Sequence, residues 1–233
     1  EDDIDLIEIV HQMGLRFMQL SYNTQSLICA GCYEPEDSGL TLFGQEVVRE
    51  MNRVGLVIDM SHSGDRSRRA AIEASERPIA ITHANPAFWH DHPRNVQTET
   101  LKALAERGGM LGFSLYPLHL KDGSDCALDS FCSMVAATAE IMGIENLGIG
   151  SDLCQDQPDS AVAWMRDGRW KKERNPDAAF PAQPDWFRSN LDFGNVSKGL
   201  QAEGFAEADV TAIMGGNWER FFAASFGPAG GTL

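Results

Sequence analysis

The 233-residue chain has no hydrophobic run that approaches the ~20 apolar residues of a membrane-spanning helix, so we expect no membrane span. It also shows no basic segment followed by an apolar one near its start, and hence no visible signal peptide. An initiator methionine is absent as well, because the chain opens on Glu1-Asp2-Asp3. We therefore expect a further N-terminal portion upstream.

Basic residues are scarce, with 19 Lys and Arg against 34 Asp and Glu and a formal charge of −15. Such a surface repels phosphate backbones, so nucleic acid is not an expected partner. The five cysteines are an odd number, which favours reduced thiols and a cytoplasmic location over a disulfide framework. Cys29 and Cys32 form a C-x2-C, but no second pair lies at zinc-ribbon spacing, so a structural metal is not expected there.

Short apolar segments alternate with stretches of helical periodicity along the whole chain. The predicted strands are LRFMQLSY (Leu15 to Tyr22), GLVIDMSH (Gly55 to His62), RPIAITH (Arg77 to His83), MLGFSLY (Met110 to Tyr116) and ENLGIGSD (Glu145 to Asp152). The predicted helices are 3–13, 42–54, 64–76, 98–107, 128–142, 207–214 and 217–226. This alternation predicts a single α/β domain with a parallel sheet. A (β/α)₈ TIM-type barrel needs eight such units, so we expect about the last five of them here.

Two strands close on the same small pattern, a hydroxyl residue followed by a histidine. His62 ends the second predicted strand, His83 ends the third, and Asp152 ends the fifth. Catalytic side chains of an α/β barrel lie where strands end, so the two imidazoles should face one mouth. A lone histidine after a strand is usually a satisfied polar residue, but the matched pair with a carboxylate favours a metal site.

The segment from Gln155 to Asn195 breaks this rhythm, with four prolines, many charges and three tryptophans. A long irregular excursion after a strand end is more often a lid or binding loop than a linker, and we predict a lid within the domain. Another loop follows His83 and carries His90, His92 and Arg94. From the residues alone, these three are interpreted as solvated side chains.

Several ordered motifs resemble one family. VIDMSH, AITHAN with a downstream HPRNV, GIGSD and the C-terminal GGNWERFF are similar to motifs of the membrane (renal-type) dipeptidases. That family consists of binuclear zinc peptidases on an amidohydrolase-like barrel. The resemblance extends over essentially the entire chain. It implies two zinc ions in the complete site and a dipeptide as the small-molecule substrate.

The resemblance also implies residue roles. His62 and His83 match two histidines that hold one zinc, and Asp152 matches an aspartate that contacts the other zinc and handles the proton of the bridging water. Arg94 matches the arginine that receives the substrate's C-terminal carboxylate. An arginine fork suits a carboxylate chemically, because the contact can be bidentate.

The chain departs from the family pattern at three places. The first-strand H-x-D and the glutamate that bridges both metals have no counterpart here, which we expect if the chain begins after the third strand. Where many members have T-H-N after the fourth strand, this chain has Ser21-Tyr22-Asn23. Tyr22 could donate a hydrogen bond to the substrate in place of that histidine, but it cannot carry a positive charge.

The predicted function is therefore zinc-dependent hydrolysis of dipeptides, with Arg94 holding the substrate carboxylate. One alternative is another metal-dependent amidohydrolase that acts on a cyclic amide or an acylated amino acid. A second alternative is a catalytically incomplete fragment or binding protein, because half of the expected metal ligands are missing. A homodimer is one possible assembly of the protein.

Overall fold

The computed structural model describes residues 2–155, 157–167, 172 and 180–226. Its strands are β1 (Phe17–Gln19), β2 (Val57–Asp59), β3 (Ala80–Ala84), β4 (Met110–Phe113) and β5 (Leu147–Ile149). They form a five-stranded parallel sheet whose spatial order follows the chain order. Parallel neighbours in sequence order are the arrangement of successive β/α units, so the predicted α/β class is confirmed.

The α-helices of the described residues lie before, between and after the strands. They are α1 (Asp5–Gln12), α2 (Leu42–Val54), α3 (Asp65–Ala74), α4 (Thr98–Glu106), α5 (Leu128–Met142), α6 (Asp159–Asp167), α7 (Phe193–Glu203), α8 (Glu207–Thr211) and α9 (Asn217–Ser225). No helix in the described part of the chain is long and apolar enough to cross a bilayer.

Helix α2 illustrates how local sequence sets an element's ends. The Thr41 side chain accepts a hydrogen bond from Gly44 N and caps the N-terminus. Gly55 ends the helix in a left-handed conformation at φ 81°, which glycine adopts at little cost. The buried face includes Val47, Val48 and Met51, so α2 packs against the sheet.

The sheet separates two apolar clusters, because alternate residues of a strand point to opposite faces. Ile58, Ile81 and Leu111 belong to the main core with the buried faces of the helices. Val57 belongs to a smaller cluster on the other face, with Phe221 of α9. Glycines make room on that smaller face; a Cβ at Gly148 would lie 2.3 Å from Trp218 Nε1.

Several expectations about elements need correction. The strands predicted over 55–62, 110–116 and 145–152 are shorter and extend over Val57–Asp59, Met110–Phe113 and Leu147–Ile149. The strand predicted over 15–22 is shorter, because after Gln19 the chain turns into a loop where Ser21 Oγ lies 2.8 Å from Ser63 Oγ. The segment 155–195 is not irregular throughout. It contains α6, whose Val162 is buried, and α7 begins within it at Phe193. Residues 156, 168–171 and 173–179 of that predicted lid lie outside the described residues.

Candidate active site

The imidazoles of His62 and His83 meet at the carboxyl edge of the sheet. His62 follows β2, and His83 lies within β3 just where the pairing register with β4 shifts between Ile81 and Ala84. Such an irregularity re-aims a side chain. The two Nε2 atoms lie 2.9 Å apart, and the rings are inclined at 64°. Two side chains 21 residues apart in sequence thus converge on one point.

Each imidazole is oriented through its other nitrogen. His62 Nδ1 lies 2.7 Å from Asn23 Oδ1, which can only accept, so Nδ1 is the donor. His83 Nδ1 lies 2.8 Å from Thr82 Oγ1. The Thr82 hydroxyl donates to Asp59 Oδ2 at 2.7 Å, so Thr82 Oγ1 accepts from His83. Both rings therefore present an Nε2 lone pair to the same point.

The protonation of the pair supports this arrangement. Burial lowers the pKa of His62, and the neighbouring Arg94 and His83 lower it further. Burial also lowers the pKa of His83, although Asp152 and Asp59 oppose the shift. Both rings are thus neutral near pH 7, as metal ligands must be.

The donor set fits a metal ion in part. Zn–N bonds of about 2.0–2.1 Å at a tetrahedral angle place two ligand nitrogens roughly 3.4 Å apart, so the rings need to separate by about 0.5 Å. Within the described residues, no three His, Cys, Asp or Glu side chains form a group that could hold a metal ion. Since a zinc site takes at least three protein ligands, the pair is an incomplete set. That Asp152 is a ligand stays a prediction.

Asp152 nevertheless borders the same cavity as His62. It follows β5 and adopts a left-handed conformation at φ 53°, which is uncommon for a residue other than glycine. The cavity measures about 310 Å³. Its polar wall includes Tyr22, Asn23, His62, Arg94, His119 and Asp152, and its apolar wall includes Tyr116, Leu118, Val162, Met165 and Phe180. A small substrate bearing apolar groups matches such a lining.

Arg94 is held at the edge of this cavity and is only 3% exposed. Its Nε donates to Ser61 O at 3.1 Å and its Nη2 to His83 O at 3.2 Å. The interpretation of Arg94 as a solvated surface charge is therefore wrong. A guanidinium has five N–H donors, and these two bonds leave others to face a ligand.

Arg68 of α3 holds the loop that carries Arg94. It is fully buried, and it donates to four main-chain oxygens, namely those of Met60, Ser61, Arg94 and Asn95. Burial lowers its pKa to about 10, so the group stays charged near pH 7. This role was not predicted, because Arg68 lies in a polar helical stretch where arginines are usually exposed.

Tyr22 and the loop histidines occupy distinct positions. The Tyr22 ring stacks on His62 at 4.0 Å between centroids, while half of its surface stays exposed. Burial raises the pKa of Tyr22, so its hydroxyl is protonated and can donate. His92 is half-buried, stacks on His90 and accepts a hydrogen bond from Arg94 N, so it supports the loop rather than lying in solvent.

His119 and Asn23 were not predicted as site residues from the sequence, yet both border the cavity. His119 lies in the 3₁₀ turn Pro117–His119 after β4, is 2% exposed, and borders the cavity. It shares with His62 the position of a histidine just beyond a strand, and that signal could have found it. Asn23 carries a positive φ of 65°, which a sequence does not show directly.

Cysteines take no part in the histidine pair. None of the five forms a disulfide bond. Cys29 and Cys32 contact different partners, because Cys29 Sγ lies near Ser63 Oγ and Cys32 Sγ lies near Asn23 Oδ1. Burial raises the pKa of both thiols, so they are protonated near pH 7.

Solved structures of other proteins share the fold of this chain. A structure described as an amidohydrolase from Pseudomonas aeruginosa superposes with a TM-score of 0.90 at 33% identity, over 97% of this chain and 69% of that one. A metallopeptidase from Rhodobacter sphaeroides, liganded with a phosphinate mimic of the dipeptide L-Ala-D-Ala, shares the fold with a TM-score of 0.80 at 19% identity. That match covers 97% of this chain and 60% of the other.

Sequence relatives point the same way. Dipeptidase aclJ of Aspergillus oryzae is 27% identical over 151 residues, which are 63% of this chain and 36% of that protein. Dipeptidase tcpJ of Claviceps purpurea is 29% identical over 150 residues, 63% of this chain and 35% of that protein. The chain spans about a third of the length of these curated relatives. Because the family profile matches residues 1–164, well over half of its length, the chain belongs to the membrane dipeptidase family, peptidase family M19.

Proposed function

We propose that this chain forms part of a zinc dipeptidase, in which His62 and His83 hold one ion and Asp152 and Arg94 act on the substrate. The observation that carries the proposal is the convergence of two neutral imidazoles, those of His62 and His83, whose Nε2 atoms lie 2.9 Å apart. They lie beside a cavity that the buried Arg94 borders. The relatives named as dipeptidases support the substrate class. The activity is proposed for the whole protein.

Different residues of this chain would bind the substrate, transfer the proton and exclude water during hydrolysis. Bound zinc supplies Lewis acidity and a water of lowered pKa. Asp152 accepts a proton from the attacking water and passes it to the leaving amine. Arg94 fixes the substrate by its C-terminal carboxylate, with the planar geometry that carboxylates favour. The apolar wall of the cavity, including Val162 and Phe180, excludes bulk water from the scissile bond.

The size of the cavity favours short substrates. At about 310 Å³ it lies at the lower end of small-molecule sites, which suits a dipeptide better than an extended chain. A carboxylate fixed by Arg94 also sets the distance from the C-terminus to the scissile bond. Dipeptides should therefore be cleaved much faster than tripeptides.

The proposal is tested with the protein expressed from its complete natural gene. We expect hydrolysis of dipeptides that a chelator abolishes and zinc restores. The zinc content is measured by inductively coupled plasma spectrometry. His62→Ala and His83→Ala should lower it, whereas His90→Ala, in a neighbouring loop, should leave it unchanged. Asp152→Asn should lower kcat far more than it raises KM, because proton handling belongs to the chemical step. An enzyme that retains full zinc in both ligand variants would contradict the proposal.

A second candidate is a metal-dependent amidohydrolase acting on an acylated amino acid or a cyclic amide. The 33% identity with the Pseudomonas aeruginosa amidohydrolase favours it, as does Tyr22 in place of the family's histidine. The two candidates separate on a panel of dipeptides, N-acyl amino acids and cyclic amides. A kcat/KM that is highest on dipeptides supports the first proposal.

A further inference from the structure

His119 borders the cavity beside Arg94 and has no role in the scheme above. The imidazole is 2% exposed, yet its Nε2 makes no hydrogen bond within the described residues. Among the described residues, the fully buried side-chain atoms that lack a hydrogen-bond partner are His11 Nε2 and Ser225 Oγ. His119 Nε2 is not one of them, so it retains some access to solvent. Because His119 borders the cavity, the accessible side of Nε2 faces that space.

The contacts of Ser114 decide which nitrogen of His119 carries the proton. Ser114 Oγ accepts a hydrogen bond from Tyr116 N at 3.2 Å and lies 2.7 Å from His119 Nδ1. Within the described residues, His119 Nδ1 is the only group that can accept the Ser114 hydroxyl proton. The hydroxyl therefore donates to Nδ1, and the proton of the neutral ring sits on Nε2, which becomes a donor toward the cavity.

The same amide cluster anchors His119 and Arg94. His119 O accepts from Asn95 Nδ2 at 3.0 Å and from Asn85 Nδ2 at 3.1 Å. Asn95 directly follows Arg94 in the chain, and its Oδ1 accepts from Asn85 N at 3.1 Å. The turn that carries His119 and the loop that carries Arg94 are thus held as one unit.

The charge state of His119 agrees with a donor role. Burial lowers the pKa of His119 well below its usual value, and the charge of Arg94 adds to the effect. The ring is therefore neutral near pH 7. It would bring a directed N–H to the site without a second positive charge beside Arg94.

Resting on the proposed dipeptidase function, we propose that His119 is a second substrate-binding residue, whose Nε2–H donates to the C-terminal carboxylate held by Arg94. Arg94 supplies the charge from the loop after β3, and His119 supplies a neutral donor from the turn after the neighbouring strand β4. The pair would define the position of the carboxylate by two directions instead of one.

The test compares three substitutions of His119 in the zinc-loaded protein from the complete gene. The amide nitrogen of His119→Gln lies near the position of Nε2 and keeps a donor toward the cavity. His119→Asn reaches only the position of Nδ1, and His119→Phe removes both. We expect KM for a dipeptide to rise roughly 10- to 100-fold in the Asn and Phe variants, the range for a hydrogen bond to a charged group, with kcat changed much less.

The Gln variant should stay within a few-fold of wild type. His90→Phe serves as the matched control, because His90 lies in the loop that carries Arg94 but does not border the cavity. None of the variants should alter KM for the same dipeptide with an amidated C-terminus. Equal losses in Gln and Asn, or equal losses on the free and amidated substrates, would overturn the proposal. The Asn variant keeps the test valid if the Phe variant does not fold.

Direct binding separates this proposal from the proposed function. Isothermal titration with a phosphinate dipeptide mimic, and with its C-terminal amide, measures carboxylate recognition without turnover. A wild-type protein that hydrolyses no dipeptide refutes the dipeptidase function. A wild-type protein that does not bind the mimic, or binds it as His119→Asn does, refutes the role of His119.

Discussion

Asp59 accepts the hydroxyl protons of both Ser61 and Thr82, with Oδ1 2.6 Å from Ser61 Oγ and Oδ2 2.7 Å from Thr82 Oγ1. These hydroxyls are the residues that directly precede His62 and His83 in the chain. The repeated pattern of a hydroxyl residue and a histidine thus has a physical reason. One buried carboxylate fixes the ends of two neighbouring strands, and with them the spacing of the two imidazoles.

Asp59→Asn is expected to weaken metal binding without removing a ligand. The amide nitrogen has to donate where the carboxylate accepted, so the Thr82 hydroxyl turns toward His83 Nδ1 and shifts the proton of His83 to Nε2. Loss of such a supporting partner typically costs 10- to 100-fold in metal affinity. Competition with a chromophoric chelator measures the zinc dissociation constant. Glu46→Gln, on the exposed face of α2, is the control that should leave it unchanged.

The buried histidines should make the metal-free protein less stable in acid. His62 stays neutral in the folded state because burial lowers its pKa, while in the unfolded chain its pKa is near the ordinary histidine value of 6.5. Between these two pKa values the unfolded chain binds more protons than the folded protein. The free energy of unfolding therefore falls as the pH drops below about 6.5. At one pH unit below that value, the cost that His62 contributes is about 1.4 kcal/mol.

Urea unfolding in the presence of a chelator, at pH 7.5 and pH 5.5, measures this slope. His62→Gln should reduce the difference between the two free energies of unfolding by about 1.4 kcal/mol. A variant whose pH dependence equals that of wild type would show that the pKa of His62 does not fall when the protein folds. Removal of His90, which lies in a loop, provides the comparison.

Arg68→Ala should strongly destabilise the fold. The substitution leaves four buried main-chain oxygens without their donors and opens a cavity beneath the loop of Arg94. We expect a loss of about 3–5 kcal/mol in the free energy of unfolding, typical of a broken buried polar network. Denaturant titration followed by circular dichroism gives the value.

The adjacent Arg69 offers a matched control for Arg68. Its side chain is 50% exposed and pairs with Asp65 at 3.6 Å. Because such exposed pairs contribute little, Arg69→Ala should change the free energy of unfolding by at most about 0.5 kcal/mol. Similar losses in both variants would mean that the contacts of Arg68 do not carry the stability of this loop.

Local signals in the sequence predicted what depends on local physics. Thr41 and Gly55 marked the two ends of α2, and the short apolar runs marked all five strands of the parallel sheet. The family motifs likewise identified the family, which the profile match confirms. Strand ends were less certain, because a side-chain bond such as that of Ser21 with Ser63 can draw residues out of the sheet.

The residues that the sequence did not predict act through distant partners. Arg68 finds main-chain acceptors 26 and 27 residues downstream, and a buried arginine looks like any exposed one in a helical pattern. His119 is held in position by hydrogen bonds that its main-chain oxygen accepts from Asn85 and Asn95. These two residues lie just after β3 and in the loop that follows it. Such contacts exist only after the sheet has assembled, so neither periodicity nor spacing encodes them visibly.

Arg94 offers the sharpest test of the dipeptide assignment. If it grips the substrate carboxylate, Arg94→Ala in the protein from the complete gene should cost roughly 2–5 kcal/mol in kcat/KM, the range for removing one partner of a desolvated charge pair. Arg94→Lys should recover only part, because an ammonium cannot make the planar two-point contact. Steady-state kinetics on a dipeptide give both values. The same substitutions should barely change hydrolysis of the amidated dipeptide.

That control matters because Arg94 also donates to Ser61 O and His83 O, so its loss could disturb the histidine pair as well. A purely structural effect would lower activity on the free and amidated substrates alike and would reduce zinc content. An effect on carboxylate binding would appear on the free substrate alone, with zinc content preserved. Equal wild-type rates on the two substrates would contradict the assignment directly, because a site built around a guanidinium must discriminate between a carboxylate and a neutral amide.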